Sequence, residues 1–453
     1  MAVRLRVALA LFAALPAARS RNPIDAPNGT ADPHVRFLNN TFVLFATHDF
    51  SPNSTTFRMD DWRVWTSADL VAWTLAATVR PQDTPAAPAT YEQCWATDGA
   101  LRNDAYYFYL SLGTTEIGVL RAPSPAGPWA DVLRTPLVNA SFCAALSPPT
   151  QCRDPGVFED ADGEYYLVFG AFNYYIARLN ADMVSFAEPP RLLAVTNAIS
   201  QNGVGVLDDK PFLHREGALY YLSWGCFYGT ATSVYGPYEY RGTWIDKNLI
   251  APAFRTNVTN PNSTAWWRDE DLNDRHGAFF VAGGQTFWSS NDRSHSPDKR
   301  NTNAYRDTIL TYVHYTPDGD IKPVVIDAAG VGAYDARRLE AENFMRAEGS
   351  VTKVFDNSAS RGVAVAARAG AALVFPRVAG AAGSRGLALR ARGAPLDAIA
   401  RAGGAACAAR SAGGAEWVAC AWDGIVAGDS AGDVALRIEF AAASELDAVE
   451  FVF

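Results

Sequence analysis

Asp154-Pro-Gly-Val-Phe-Glu-Asp-Ala-Asp-Gly-Glu-Tyr-Tyr-Leu-Val168 is the stretch whose reading decides the fold. It runs from a polar residue into a short apolar strand, an Asp/Gly turn and a second strand opened by paired tyrosines. The pattern recurs outward in both directions. Upstream, Asp98-Gly-Ala-Leu leads to Tyr106-Tyr-Phe-Tyr, and Asp32-Pro-His-Val leads to Phe42-Val-Leu-Phe. Downstream, Asp209-Lys-Pro-Phe leads to Tyr220-Tyr-Leu-Ser, and His276-Gly-Ala-Phe leads to Phe287-Trp-Ser-Ser. Five units therefore begin at 32, 98, 154, 209 and 276, spaced by 55 to 67 residues. That spacing holds about four short strands, the size of a propeller blade. No amphipathic helix separates the units, which disfavours parallel βαβ folds. The expectation is an all-β chain whose residues 21–326 form a five-bladed β-propeller.

The flanks are different in kind. Arg4 and Arg6 precede the apolar run Val7 to Ala18, and Ala18-Arg19-Ser20 offers a small-x-small cleavage site. The run is too short to span a bilayer, so residues 1–20 read as a signal peptide and the chain as secreted. Six N-x-S/T sequons, at Asn28, Asn39, Asn53, Asn139, Asn257 and Asn262, agree with a secreted glycoprotein. The one at Asn28 is expected to stay empty, because a glycan there would crowd Asp32. Residues 327–336 read as a linker. Residues 337–453 shift towards Ala, Gly and Val with short alternating runs, which suits a small β-sandwich. The six cysteines show no CxxC spacing and read as disulfides. Cys143 with Cys152 and Cys407 with Cys420 would close local loops and leave Cys94 for Cys226, the connectivity staying open at this level. A net charge of −9 argues against nucleic acid or an anionic membrane as partner, and a neutral or mildly acidic substrate fits better.

In a propeller the first strand of each blade lines the central channel. A polar residue repeated at its start therefore forms a ring at one mouth, which would gather Asp32, Asp98, Asp154, Asp209 and His276. Hydrolysis of a glycosidic bond needs one carboxylic acid to protonate the leaving oxygen and a second carboxylate to activate water or attack the sugar. One such Asp would read as a strand cap; several at one repeat position point to chemistry.

Ala31-Asp32-Pro33-His34, Ser67-Ala-Asp-Leu-Val-Ala-Trp73, Trp95-Ala-Thr-Asp98, Gly127-Pro-Trp129, Arg153-Asp154-Pro155, His276-Gly277 and Tyr305-Arg306 together resemble glycoside hydrolase family 43. The resemblance covers roughly residues 22–326. It implies a propeller that hydrolyses arabinosyl, xylosyl or galactosyl linkages with inversion and without a cofactor in the chemistry. By position Asp32 resembles the general base, Asp154 the carboxylate that orients the acid and tunes its pKa, Trp95 the site-lining tryptophan and Arg306 the arginine near the sugar. His276 resembles the histidine that faces the channel, in many members beside a structural calcium ion. The family's acid is a Glu in Glu-Gly-Pro; here that place reads Asp209-Lys210-Pro211, one methylene shorter. The segment 337–453 resembles the family 6 carbohydrate-binding modules through Leu339-Glu-Ala-Glu-Asn-Phe344 and the closing run to Phe453. The rival reading is a propeller that has lost catalysis and only binds glycans, as a lectin does.

Overall fold

Each of the five sequence units becomes its own antiparallel sheet, in a computed structural model of the chain. It describes residues 22–453 except 26–27, 55, 85–86, 88–90, 256–271, 273–274, 294–304, 333, 356–362, 393–394, 413–416 and 430–432. The expected signal peptide and the sequons at Asn257 and Asn262 lie outside the described residues. The chain divides into two compact units, Ser20–Gly332 and Ala333–Phe453, the break falling inside the expected linker.

In the first unit the sheets follow the chain. The first holds Thr30–Leu38, Thr41–Asp49, Met59–Ser67 and Thr74–Val79 in that order. The second runs from Cys94–Arg102 to Ala130–Asp131 and the third from Gly156–Glu159 to Arg191–Leu192, each as four consecutive strands. The fourth starts at Pro211–Glu216 and gains a parallel outer strand, Val195–Thr196, from the segment that precedes it. The fifth has Gly277–Ala282, Gln285–Asp292 and Asp307–Val313. Its outer edge is met by the start of the chain. The Asn22 side chain donates to Leu310 O (2.9 Å) and accepts from Leu310 N (2.8 Å), while Ile24 N donates to Thr308 O (2.8 Å). Edge groups that would otherwise be unpaired are thereby satisfied, and the first and last sheets are laced together.

Glycines on two of the first strands sit against second strands, Gly99 against that of the neighbouring sheet and Gly277 against that of its own. A Cβ on Gly99 would lie 2.2 Å from the Phe45 ring, and one on Gly277 would lie 1.6 Å from Ser289 O. Both glycines are therefore required, and Gly277 fixes the backbone next to His276. Aromatic residues fill the spaces between sheets, with Trp62, Trp224, Trp244 and Trp288 fully buried. Trp244 and Trp288 meet edge-on at 5.3 Å, the preferred aromatic geometry.

In the second unit the strands form two six-stranded sheets, Leu373 and Leu436 buried in one and Leu387 and Val449 in the other. The cysteine reading is half right. Cys143–Cys152 and Cys407–Cys420 are disulfides, but Cys94 and Cys226 are separate buried thiols rather than a pair. Cys94 opens the inner strand of the second sheet and Cys226 follows Trp224 in the fourth, so the elimination argument paired two residues that the topology keeps on different sheets. No helix among the described residues is long and apolar enough to cross a membrane.

Candidate active site

The six residues expected from the sequence all line one pocket. Asp32, Trp95, Asp154, Asp209, His276 and Arg306 surround about 330 Å³ of empty space, open solvent included. They come from five sheets, five of them from the start of a first strand and Arg306 from the residue before the third strand of the fifth sheet. Asp98 is the exception. It sits deeper in its strand than Asp32 does, beyond a bulge between Trp95 and Thr97, so Trp95 takes the place at the rim. Asp98 is fully buried and accepts from Arg36 Nε (3.0 Å) and Val157 N (2.7 Å), with His34 Nδ1 3.3 Å away. Burial alone would raise its pKa, but Arg36 and His34 hold it down to about 2. It is a structural tie between neighbouring sheets.

The backbone explains how side chains from strand starts turn inward. Asp32, Asp154 and Lys210 have φ of 51°, 56° and 57°, left-handed values that cost a residue with a Cβ of order 1–3 kcal/mol. Each is followed by proline, as Asp32-Pro33, Asp154-Pro155 and Lys210-Pro211. The amide of each is held by a side chain of another sheet or its flanking segment. Asp32 N donates to Asn291 Oδ1 (2.7 Å), Asp154 N to Ser111 Oγ (2.8 Å) and Lys210 N to Asp154 Oδ2 (3.1 Å). In the fourth sheet the residue structurally equivalent to Asp32 and Asp154 is thus Lys210, and Asp209 is equivalent to Ala31 and Arg153. The repeat read from sequence was one residue out of register there.

Asp32 is buried under donors. Arg306 Nη1 lies 2.9 Å and Nη2 3.3 Å from its two oxygens, and Asn291 Nδ2 donates to Oδ1 at 3.0 Å. His276 Nδ1 is 3.3 Å away, and the Lys210 ammonium contacts the same carboxylate. Arg306 is oriented by Asp49, which accepts from its Nε (3.0 Å) and Nη2 (2.9 Å). Charge-assisted bonds of this kind fix a carboxylate in its ionised form.

Asp209 is the accessible acid, its side chain 21% exposed against 4% for Asp32 and 3% for Asp154. Arg153 Nη1 lies 3.2 Å from Oδ2 and His276 Nε2 3.2 Å from Oδ1. One imidazole therefore stands between Asp32 and Asp209. Burial pushes the pKa of Asp154 up to about 6; Arg153 opposes this and Asp209 adds to it. Asp208 faces away from the pocket, accepting from Asn202 Nδ2 (3.0 Å), and burial followed by the charge of Asp209 raises it to about 7. The Arg153 guanidinium lies 5.5 Å from the Trp95 ring centroid, and Trp95 Nε1 donates to Phe57 O (3.0 Å).

Both nitrogens of His276, the expected neighbour of a structural calcium ion, face carboxylates, and the Asp32 oxygens are engaged by Arg306, Asn291 and Lys210. No group of three or more His, Cys, Asp or Glu residues suited to a metal occurs among the described residues. Sequence reading missed Lys210, Arg153, Asn291 and Asp49. Arg153 and Lys210 stood beside named carboxylates, and the shared X-Pro spacing could have found Lys210. Nothing in the sequence marked Asn291 or Asp49.

An all-β unit that gathers three carboxylates with an arginine and a histidine around one pocket has the groups that a glycosidase needs. Residues 20–321 match the model of the family described as "Glycosyl hydrolases family 43", and the chain belongs to that family. Among its relatives is a β-D-galactofuranosidase of Aspergillus niger, 27% identical over 335 residues that cover 69% of this chain and 87% of that one. An arabinoxylan arabinofuranohydrolase of Bacillus subtilis is 26% identical over 271 residues, covering 49% of this chain and 51% of that one. Among solved structures, a family 43 arabinoxylan arabinofuranohydrolase from Bacillus subtilis in complex with cellotetraose superposes with a TM-score of 0.56 at 20% identity, over 96% of this chain and 97% of that one. A family 43 β-xylosidase/α-arabinofuranosidase from a compost metagenome, in complex with xylotriose, gives 0.53 at 22% identity over 69% and 99%. These likenesses support a propeller-like fold.

Proposed function

We propose that this glycosidase is secreted and cleaves arabinosyl, xylosyl or galactosyl linkages with inversion at the anomeric carbon. Asp32 serves as general base, Asp209 as general acid and Asp154 as the group that tunes the acid. The observation that carries the reading is the placement of Asp32 and Asp209 on opposite sides of the His276 ring in one pocket. An imidazole width plus two hydrogen-bond lengths separates them by roughly 8 Å, within the range that leaves room for a water in an inverting site. The depths agree with the roles. The base is buried where water can be held, and the acid is the exposed carboxylate, on the side from which a leaving group departs. Ionised Asp154 beside Asp209 would raise the proton affinity of the acid, and the charge of Asp209 reciprocally adds to the rise that burial gives Asp154. Arg306 and Trp95 line the sugar's position.

Sheet order supports a five-bladed propeller for the first unit. Two six-stranded sheets, and a structural match spanning 96% of the chain, support a β-sandwich of the carbohydrate-binding-module kind for the second. Trp417, half-exposed there, is one aromatic available to a sugar. Secretion rests on the leader-like N-terminus and on the two disulfides. The test is a panel of nitrophenyl arabinosides, xylosides and galactosides in furanose and pyranose forms, with Asp32→Asn as control. Cleavage of at least one, abolished in the variant, is expected; an inert panel with intact glycan binding would contradict it.

One observation favours a second reading, a propeller that binds glycans without cutting them. Arg153 and His276 hold Asp209, and Lys210 holds Asp32, so both reacting carboxylates carry cations. A screen for binding to oligosaccharides that survive incubation intact separates the two.

A further inference from the structure

Among the described residues, Lys210 touches Asp32, Asp154 and Asp209 together. Its ammonium contacts Asp32, its amide donates to Asp154 Oδ2 at 3.1 Å, and Asp209 is its peptide neighbour. It is buried, lines the pocket and holds a left-handed φ of 57° that a residue with a Cβ adopts only where its surroundings enforce it. It occupies the position that Asp32 and Asp154 occupy in their own sheets. The chain has thus placed a fixed positive charge where a repeat position elsewhere supplies a negative one.

Among the described residues, the other donors to Asp32 come from the fifth sheet and its flanks: Arg306 and Asn291, with His276 at 3.3 Å. Arg306 is shared with Asp49, so part of its charge is already committed. Asp154 and Asp209 supply the negative groups on the far side, with Arg153 between them. Among the described residues, Lys210 is the cation that reaches Asp32 from that far side.

We propose that Lys210 is a positioning residue for hydrolysis, clamping the Asp32 carboxylate from the acid's side of the pocket and locking it to Asp154 and Asp209 as one unit. The inference rests on the hydrolytic reading above. Three consequences follow from the geometry. Asp32 stays ionised to lower pH than Arg306 alone would keep it. Its oxygens are held in one orientation towards the water. Substrate affinity depends on Lys210 less than turnover does, because its partners are carboxylates of the protein.

Lys210→Met keeps the length of the side chain and removes the charge; Lys210→Arg keeps the charge. In Lys210→Met, kcat on a cleaved nitrophenyl glycoside is expected to fall at least about tenfold with KM changed much less. The acidic limb of the kcat/KM–pH profile is expected to move up by about one pH unit, the effect of removing one opposite charge at contact distance. Lys210→Arg should return the limb towards its original place. A loss that merely reflected damaged packing would lower the rate at every pH and leave the limb where it was. An unmoved limb in a folded Lys210→Met, or a rise in its rate, would overturn the proposal; a rise would show that the ammonium blocks the pocket. If the wild-type enzyme cleaves nothing, it is the hydrolytic reading that fails, and Lys210 is still decided by carboxyl ¹³C NMR. The Asp32 signal, identified by its loss in Asp32→Asn, must then titrate at higher pH in Lys210→Met. An unchanged midpoint refutes the clamp.

Discussion

Replacing Asp209 by Asn is the perturbation that separates chemistry from architecture in this pocket. Asn has the same shape, and the site it leaves is 21% exposed, with Arg153 and His276 each 3.2 Å from the oxygens. Both partners keep other neighbours: Arg153 faces Asp154 at 3.9 Å and His276 faces Asp32 at 3.3 Å. The cost in stability should therefore stay within about 1 kcal/mol, as for a partly exposed ion pair. The cost in rate should depend on the leaving group. A positioned acid contributes about 10²–10⁴-fold when the departing alcohol needs a proton, and little when a nitrophenolate leaves unaided. Hydrolysis of a natural oligosaccharide by Asp209→Asn should fall by about that factor, and hydrolysis of the matching nitrophenyl glycoside by less than about tenfold. Parallel initial rates on the two substrates, with a melting curve as control, make the measurement. Equal losses on both would refute the reasoning, because Asp209 would then be acting in binding or folding; no loss on either would place the acid elsewhere.

Other outcomes follow from the same geometry. Asp32→Asn should abolish hydrolysis of both substrate types while leaving saccharide binding measurable by calorimetry, because the base is needed whatever the leaving group; retained turnover would contradict its role. Asp98→Asn should do the reverse. It leaves Arg36 and the tie to the third sheet without their charge partner at a fully buried site, costing about 3 kcal/mol of stability by chemical denaturation, with kcat little changed. Stability should fall as pH rises from about 5 to 8. Burial raises the folded-state pKa of Asp25 and Asp208 to about 7 and that of Asp154 to about 6, above the unfolded value near 4. Across that window the folded chain binds more protons than the unfolded one, so the stability present at low pH is lost as these groups ionise. Melting temperatures in buffers of matched ionic strength should drop by several degrees; a rise would contradict the burial argument.

Much of this was legible in the chain itself. The aromatic second strands and the polar residues before the first strands gave the five sheets, because period-two patterning and turn residues are local signals. Asp32, Asp154, Asp209 and His276 could be named for the same reason, whereas Trp95 and Arg306 were named through the family resemblance. What failed was register. Asp98 and Asp32 looked equivalent, but a bulge at Trp95/Thr97 moves Asp98 into the interior. Asp209 and Asp154 looked equivalent, but proline marks Lys210 as the matching residue, and a left-handed φ turns inward a side chain that simple strand alternation would have sent away. Asn291 and Asp49 sit on second strands and act through tertiary contacts alone. Cys94 and Cys226 were paired only by elimination, and their sheets keep them apart.

The account turns on Asp32 activating a water across the sugar from Asp209, and stereochemistry reports that directly. Proton NMR of a cleaved glycoside, recorded within minutes of adding enzyme and before mutarotation, identifies the anomer formed first. A water delivered from the face opposite the leaving group inverts the anomeric carbon, so the first-formed sugar should carry the configuration opposite to that of the substrate. A product of retained configuration would mean that a protein carboxylate attacks the sugar, and the assignment of Asp32 as base would be wrong.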